Sequence, residues 1–170
     1  MTLQRLWAGW RNDYVSGVAT VDPGECVFCA LFDSGASDRE ALVVWRGEHT
    51  IVMLNLYPYA SGHLLVMPVR HVADLAELTA LESSALWAGA VASVAAVKQA
   101  YSPDGVNLGA NLGRAAGAGV PGHLHLHAVP RWVGDTNFMT AVGEVRVMPE
   151  DLATSYDKVR AAWQPPGEAP

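Results

Sequence analysis

Charge is scarce in this sequence. Lys, Arg, Asp and Glu together make up 16% of 170 residues, against 51% apolar residues. That balance excludes a disordered, self-repelling chain and fits a compact one with a real core. Basic residues are the scarcer sign, 11 against 17 acidic, for a net charge of −6. No block of Lys and Arg is present, so no duplex-binding face is expected and no nucleic acid is a predicted partner. A phosphate ligand would have to be held by local groups rather than by the global field. No apolar run is read as approaching the roughly 20 residues of a bilayer span, so no membrane partner is expected. The opening MTLQRLWAGWRNDY lacks a basic segment followed by an apolar stretch. The expectation is therefore no signal peptide and a cytoplasmic protein. Cysteine is nearly absent. The two that exist, Cys26 and Cys29, sit in CVFC, the spacing of a redox pair or of half a zinc site.

What is present reads as one domain over residues 1–163, with a Pro-rich tail at 164–170. Its first part, to about Ala41, is an aromatic, loop-rich arm that carries the CxxC. Ala41–Arg46 and His49–Asn55 flank a Gly-containing turn as a hairpin would, and Gly62–Pro68 is a third strand-like run. Thr79-x-x-Glu82 is a capping box that opens one long Ala-rich helix to about Tyr101. Two more strands follow, Gly105–Asn111 and His123–Arg131, then a short helix over Glu150–Trp163 after Pro149. The fold class is α+β: an antiparallel sheet with the helices, one long and one short and C-terminal, segregated to one side.

The chemistry is concentrated in His123-Leu-His125-Leu-His127. On a strand, alternate side chains share a face, so three imidazoles would line one side about 6.5–7 Å apart. Leu124, Leu126 and Ala128 would enter the core. Imidazole suits attack on phosphorus near neutral pH, because a neutral, nucleophilic nitrogen is available there. Upstream lies Asn111-Leu-Gly-Arg-Ala-Ala-Gly117-Ala-Gly119-Val120-Pro-Gly. Its glycines let backbone N–H groups approach an anion, and Asn111 adds a donor. No helix follows these glycines, which excludes a dinucleotide fingerprint.

The triad with its two following apolar residues, the preceding Asn-x-Gly and glycine loop, the LNLYP of residues 54–58 and the GHLLVMP of residues 62–68 together resemble the histidine-triad superfamily. LWAGWRNDYV, LNLYPY, PRWVGD and TNFM are similar to its bacterial diadenosine tetraphosphate phosphorylase branch. The resemblance implies a HIT-like fold and a nucleotidyl-histidine intermediate on His125. It implies that His127 contacts the phosphate or leaving group, Asn111 the phosphate, and Asn55 the ribose. Gly117 and Gly119 belong to the phosphate loop. Zinc-containing members imply a structural zinc held by Cys26, Cys29, His71 and His123. The implied partners are an adenine nucleotide or dinucleoside polyphosphate, inorganic phosphate as acceptor, and a second copy in a homodimer. The chain departs from the pattern at Gly119 and Val120, where relatives carry Ser, Thr or Gln, so only backbone amides remain there.

Alternatives from the same residues are hydrolysis of nucleoside phosphoramidates or adenylyl conjugates, and a non-catalytic adenine-nucleotide-binding module. A catalytic metal on His123 and His125 is another. The Trp residues at 7, 10, 45, 87, 132 and 163 read as core or subunit contacts, and Arg11, Arg70, Arg114 and Arg131 are candidate phosphate contacts, each better read singly as a solvated surface residue. His49 and His63 carry no assignment.

Overall fold

The computed structural model describes residues 25–136 and 148–167. Trp7, Trp10 and Arg11 with their LWAGWRNDYV motif, all but the first residue of TNFM, and the final residues of the Pro-rich tail lie outside that range.

Five antiparallel strands form one sheet in the order β1-β2-β3-β5-β4. They are β1 (Val43–Arg46), β2 (Thr50–Leu54), β3 (Leu64–Pro68), β4 (Gly105–Ala110) and β5 (Leu126–Arg131). The predicted hairpin is β1–β2, and β3 pairs with β2 along its whole length.

Every residue of β2 and β3 is buried, so both faces of the central sheet need covering. One face, with Val44, Val52, Leu54, Leu64, Val66, Leu126 and Ala128, packs against α2 (Ala80–Tyr101) and α3 (Leu152–Ala162). The other, with Ile51, Met53, Leu65 and Met67, is covered by Phe28 of a short helix, α1 (Val27–Asp33). Helices therefore lie on both faces rather than on one. The reason is legible in the strands: runs such as IVML and LLVM are apolar at consecutive positions, which a single covering layer cannot bury.

The α2 N-terminus forms the predicted capping box. Glu82 N–H donates to Thr79 Oγ1 at 3.2 Å, and Thr79 N–H donates to Glu82 Oε2 at 2.8 Å. Arg70 binds the same carboxylate, and that guanidinium, ahead of the Thr79 amide, holds Glu82 down to about 2. Gly89 lets the helix lie close on the sheet: a Cβ there would stand 3.0 Å from Thr50 and 3.1 Å from Val66. By length and composition α2 could cross a bilayer, contrary to the expectation that no segment comes near. Its Leu86, Gly89, Ala90, Ser93 and Val97 are instead buried, as in the core helix of an α+β domain. The C-terminal helix starts at Leu152 rather than Glu150, because Asp151 caps it by accepting from Thr154 N–H at 2.7 Å.

The last strand also starts later than its alternation suggests. Regular pairing begins at Leu126, and His123 and His125 precede it. The cause is local: the Pro68 carbonyl at the end of β3 lies 2.9 Å from the His123 side chain. The two segments are linked there through an imidazole instead of a strand ladder. Leu124, Leu126 and Ala128 are buried as expected.

Candidate active site and metal centre

Hydrogen-bond partners settle which nitrogen of each reactive imidazole carries the proton. His125 Nδ1 lies 2.7 Å from the His123 carbonyl oxygen. A carbonyl only accepts, so Nδ1 is protonated and Nε2 keeps its lone pair. His127 is reached by a longer chain. The Tyr59 N–H donates to His63 Nδ1 at 3.0 Å, which puts the proton of neutral His63 on Nε2. That Nε2 lies 2.9 Å from His127 Nδ1 and donates to it. His127 therefore carries its own proton on Nε2, a buried atom with no hydrogen-bond partner among the described residues. Side by side stand an imidazole with a lone pair to give and one with a hydrogen bond to give.

Both rings are neutral near pH 7. Burial pushes His125 below its ordinary value, and burial with the neighbouring His125 holds His127 down to about 4. The rings of His125 and His127 meet edge-on, with centroids 5.0 Å apart, closer than regular strand spacing because His125 precedes the strand. Tyr59 stacks on His127, and Phe28 of α1 meets His125 edge-on at 5.5 Å.

The remaining predicted residues surround this pair unevenly. Asn111 donates from Nδ2 to the Gly117 carbonyl at 3.4 Å, and Gly117 has φ +88°, a conformation that favours glycine. Asn111 and His127 line one cavity. Gly119 lies half-buried in the stretch leading to the triad. Asn55 is buried, accepts from Tyr57 N–H at 3.0 Å and sits 3.4 Å from His63 Nδ1, so it closes the LNLYP turn beside the reactive group. Arg70 and Arg131 are taken by Glu82 and Asp135, whereas Arg114 in the glycine loop has no ion pair among the described residues. His49 lies 3.7 Å from Glu48 and touches none of this.

Sequence reasoning left His63 unassigned. Its signal was the period-2 alternation His63, Leu65, Met67, which puts it on the face that carries His127. Recognising the contact requires the β3–β5 register, which pairs Leu65 with His127.

The four predicted metal-site residues converge. Ligand atoms of Cys26, Cys29, His71 and His123 all lie within 4.8 Å of one another. His123 Nδ1 is 3.4 Å from Cys26 Sγ and 3.7 Å from Cys29 Sγ, and His71 Nδ1 is 3.5 Å from Cys29 Sγ. A tetrahedral zinc with ordinary Zn–S and Zn–N bonds sets S···N separations of about 3.6 Å. His123 gives its Nε2–H to the Pro68 carbonyl, so Nδ1 faces the thiols as an acceptor, the outer-shell arrangement that orients a metal-binding imidazole. Burial and the adjacent Cys26 thiol push Cys29 up to about 11, a proton that a bound cation would have to displace. The cysteines do not lie in a loop as the arm reading expected: Cys26 is the N-cap of α1 and Cys29 lies within it. His125 is outside the cluster, which argues against a catalytic metal on His123 and His125.

The HIT domain model matches residues 36–133, more than half of the chain. The chain belongs to the HIT family. Among HIT relatives, an AP-4-A phosphorylase of Mycobacterium tuberculosis is 41% identical over 165 residues, covering 95% of this chain and 85% of that protein. A bis(5'-adenosyl)-triphosphatase of Dictyostelium discoideum is 32% identical over 93 residues, or 55% of this chain and 62% of that one. Among solved HIT structures, a Zn-bound histidine triad family protein from Mycobacterium smegmatis aligns with TM-score 0.62 and 31% identity. It covers 81% of this chain and 92% of that one.

Proposed function

We propose that this HIT protein is a nucleotidyl-transferring enzyme acting on dinucleoside polyphosphates, diadenosine tetraphosphate first among them. The observation that carries the reading is the ordered proton placement across His63, His127 and His125. His125 Nε2 attacks a nucleotide phosphorus and a P–N bond forms. The bond to the departing nucleotide's phosphate oxygen breaks, and that oxygen leaves as a phosphate anion held by a hydrogen bond from His127 Nε2–H. His63 keeps that donor aimed at the oxygen by donating to His127 Nδ1. In the second half, an acceptor oxygen attacks the nucleotidyl-histidine, the P–N bond breaks to free His125, and any proton the acceptor carried stays with the product phosphate or passes to solvent. With phosphate as acceptor, diadenosine tetraphosphate gives ATP and ADP; with water, AMP and ATP. The M. tuberculosis relative's phosphorylase name favours phosphate. Asn55 is assigned to the ribose, and Asn111, Gly117 and Gly119 to the phosphates.

The Cys26, Cys29, His71 and His123 cluster is assigned to a structural zinc. All four ligand positions come from the chain, so no coordination site is left for substrate. A homodimer is supported by the outer edge of β4, which pairs only with β5 among the described residues, and by exposed Leu81, Trp87 and Val91 on α2.

The deciding experiment is incubation with diadenosine tetraphosphate, with and without phosphate, followed by chromatography and intact-mass analysis of quenched enzyme. A nucleotidyl adduct with phosphate-dependent ATP and ADP supports the reading. No turnover under either condition overturns it.

A further inference from the structure

A cavity of about 850 Å³ begins at His127 and runs along the outer part of the sheet, away from the Cys26, Cys29, His71 and His123 cluster. That is far more space than phosphate or water needs, and it lies in the range of sites for organic ligands. Its floor follows β5 from His127 through Val129 to Arg131, about 13 Å at strand rise. Two buried polar atoms on its wall have no partner among the described residues: His127 Nε2 and Ser61 Oγ. Ser61 is only 6% exposed, so its hydroxyl is cut off from bulk water yet borders an open space. Such a group costs free energy until a ligand or water satisfies it.

The far end has a different chemistry. Arg131 is held by both oxygens of Asp135, at 2.6 and 2.7 Å, and Lys158 is paired with Glu150. These cations are neutralised in place, which makes the far end a poor seat for phosphate. Its walls include Tyr101 and Trp132, whose rings meet edge to face. Arg131 also donates to Asn107 Oδ1 at 2.8 Å. An arginine cannot accept, so the amide is oriented with Nδ2 as the group left to donate to a ligand.

We infer that this cavity seats the second nucleoside of a dinucleoside polyphosphate, the half that departs when His125 is nucleotidylated. The departing oxygen lies at His127, which donates a hydrogen bond to it, and the leaving nucleotide extends from there along β5. Ser61 serves the phosphate or ribose end, and Asn107 with Trp132 serves the base. This site rests on the proposed function and refines it: the enzyme distinguishes dinucleotides from mononucleotides by what it holds beyond His127.

The test compares diadenosine tetraphosphate with adenosine 5'-tetraphosphate, which differ only by the second adenosine. Wild type should prefer the dinucleotide in kcat/KM. Trp132→Ala should cut that preference about tenfold, the size of one lost base-stacking contact, with Trp132→Phe restoring it. Turnover of neither substrate by wild type defeats the proposed function itself. Equal turnover of both, or a preference untouched by Trp132→Ala, overturns the cavity assignment alone. A change of oligomeric state in Trp132→Ala with an intact preference overturns it as well, making the cavity wall a subunit contact.

Discussion

His123 and His125 are two residues apart, yet they stand in opposite conditions. His123 has both ring nitrogens engaged, Nε2 by the Pro68 carbonyl and Nδ1 by the Cys26 and Cys29 thiols. His125 and His127 each have one nitrogen fixed by the protein and one left open. The His123 end is assembled from distant pieces of chain, namely α1, the residue range after β3, and the approach to β5. The reactive end is built mainly on β3 and β5. The difference shows that residue type does not set the role of an imidazole. The partner on its second nitrogen does. A committed ring can only hold something together, whereas a half-committed ring is oriented and still able to react.

The largest expected effect separates the two ends directly. His125→Ala should lower turnover of diadenosine tetraphosphate by at least about 10³-fold, because no other group replaces a covalent nucleophile. Nucleotide binding should survive, and the adduct should vanish from quenched intact-mass spectra. Undiminished turnover would place the chemistry elsewhere and erase the contrast.

Next in size is His63, which acts only through His127. His63→Phe should reduce kcat by roughly 10- to 100-fold, by removing the donor that fixes the His127 tautomer. A merely structural role would change stability and leave the shape of the pH profile alone. Loss of orientation should instead alter the acid limb of kcat against pH. His63→Gln, which can still offer an N–H, should recover part of the loss.

The metal end is expected to give a large stability effect and a small kinetic one. Chelation, or Cys26→Ser, should lower the melting temperature by roughly 10 °C or more if zinc closes the Cys26, Cys29, His71 and His123 cluster. Turnover measured well below that temperature should fall less than about tenfold, because His125 is oriented by the His123 backbone carbonyl rather than by a ligand atom. Metal analysis of protein purified without added zinc checks occupancy. Less than a tenth of an equivalent with an unmoved melting curve leaves the cysteines as ordinary thiols.

Much of this contrast was legible in the sequence, and unevenly so. CVFC was readable because ligand type and spacing are local signals, whereas His71 and His123 joined it only through the family resemblance. The capping box at Thr79 and the alternation of Leu124, Leu126 and Ala128 were readable for the same reason. The proton chain was not. His63 and His127 are 64 residues apart, and their meeting depends on a strand register that no local pattern states. The late start of β5 was hidden as well: alternation fits a strand from His123 onward, but the Pro68 carbonyl is claimed by a side chain. The cover supplied by α1 needed the count of apolar faces on β2 and β3, not the pattern of the arm itself. Ser61 gave no signal at all, since an orphaned hydroxyl exists only once its surroundings are folded.

The smallest expected effect tests whether the reactive end keeps its imidazoles uncharged. His127 is held down to about 4, mainly by burial, while a histidine in the unfolded chain titrates near 6.5. The sign follows from proton counting. Between about pH 6.5 and pH 4 the unfolded chain binds a proton at this position that the folded chain refuses. Stability therefore rises with pH across that window. The contribution is fully present above about pH 6.5 and is lost as the solution is acidified toward 4. Carboxylates and other histidines titrate in the same range, so a single curve cannot isolate it. Their contributions largely cancel when wild type is compared with His127→Gln. The wild-type urea midpoint should fall more steeply from pH 7.5 to pH 4.5 than the variant's, by up to one proton's worth of slope. Parallel curves would mean that His127 titrates normally. It would then be an exposed, mostly solvated imidazole, and the buried neutral donor on which the reactive half depends would not exist.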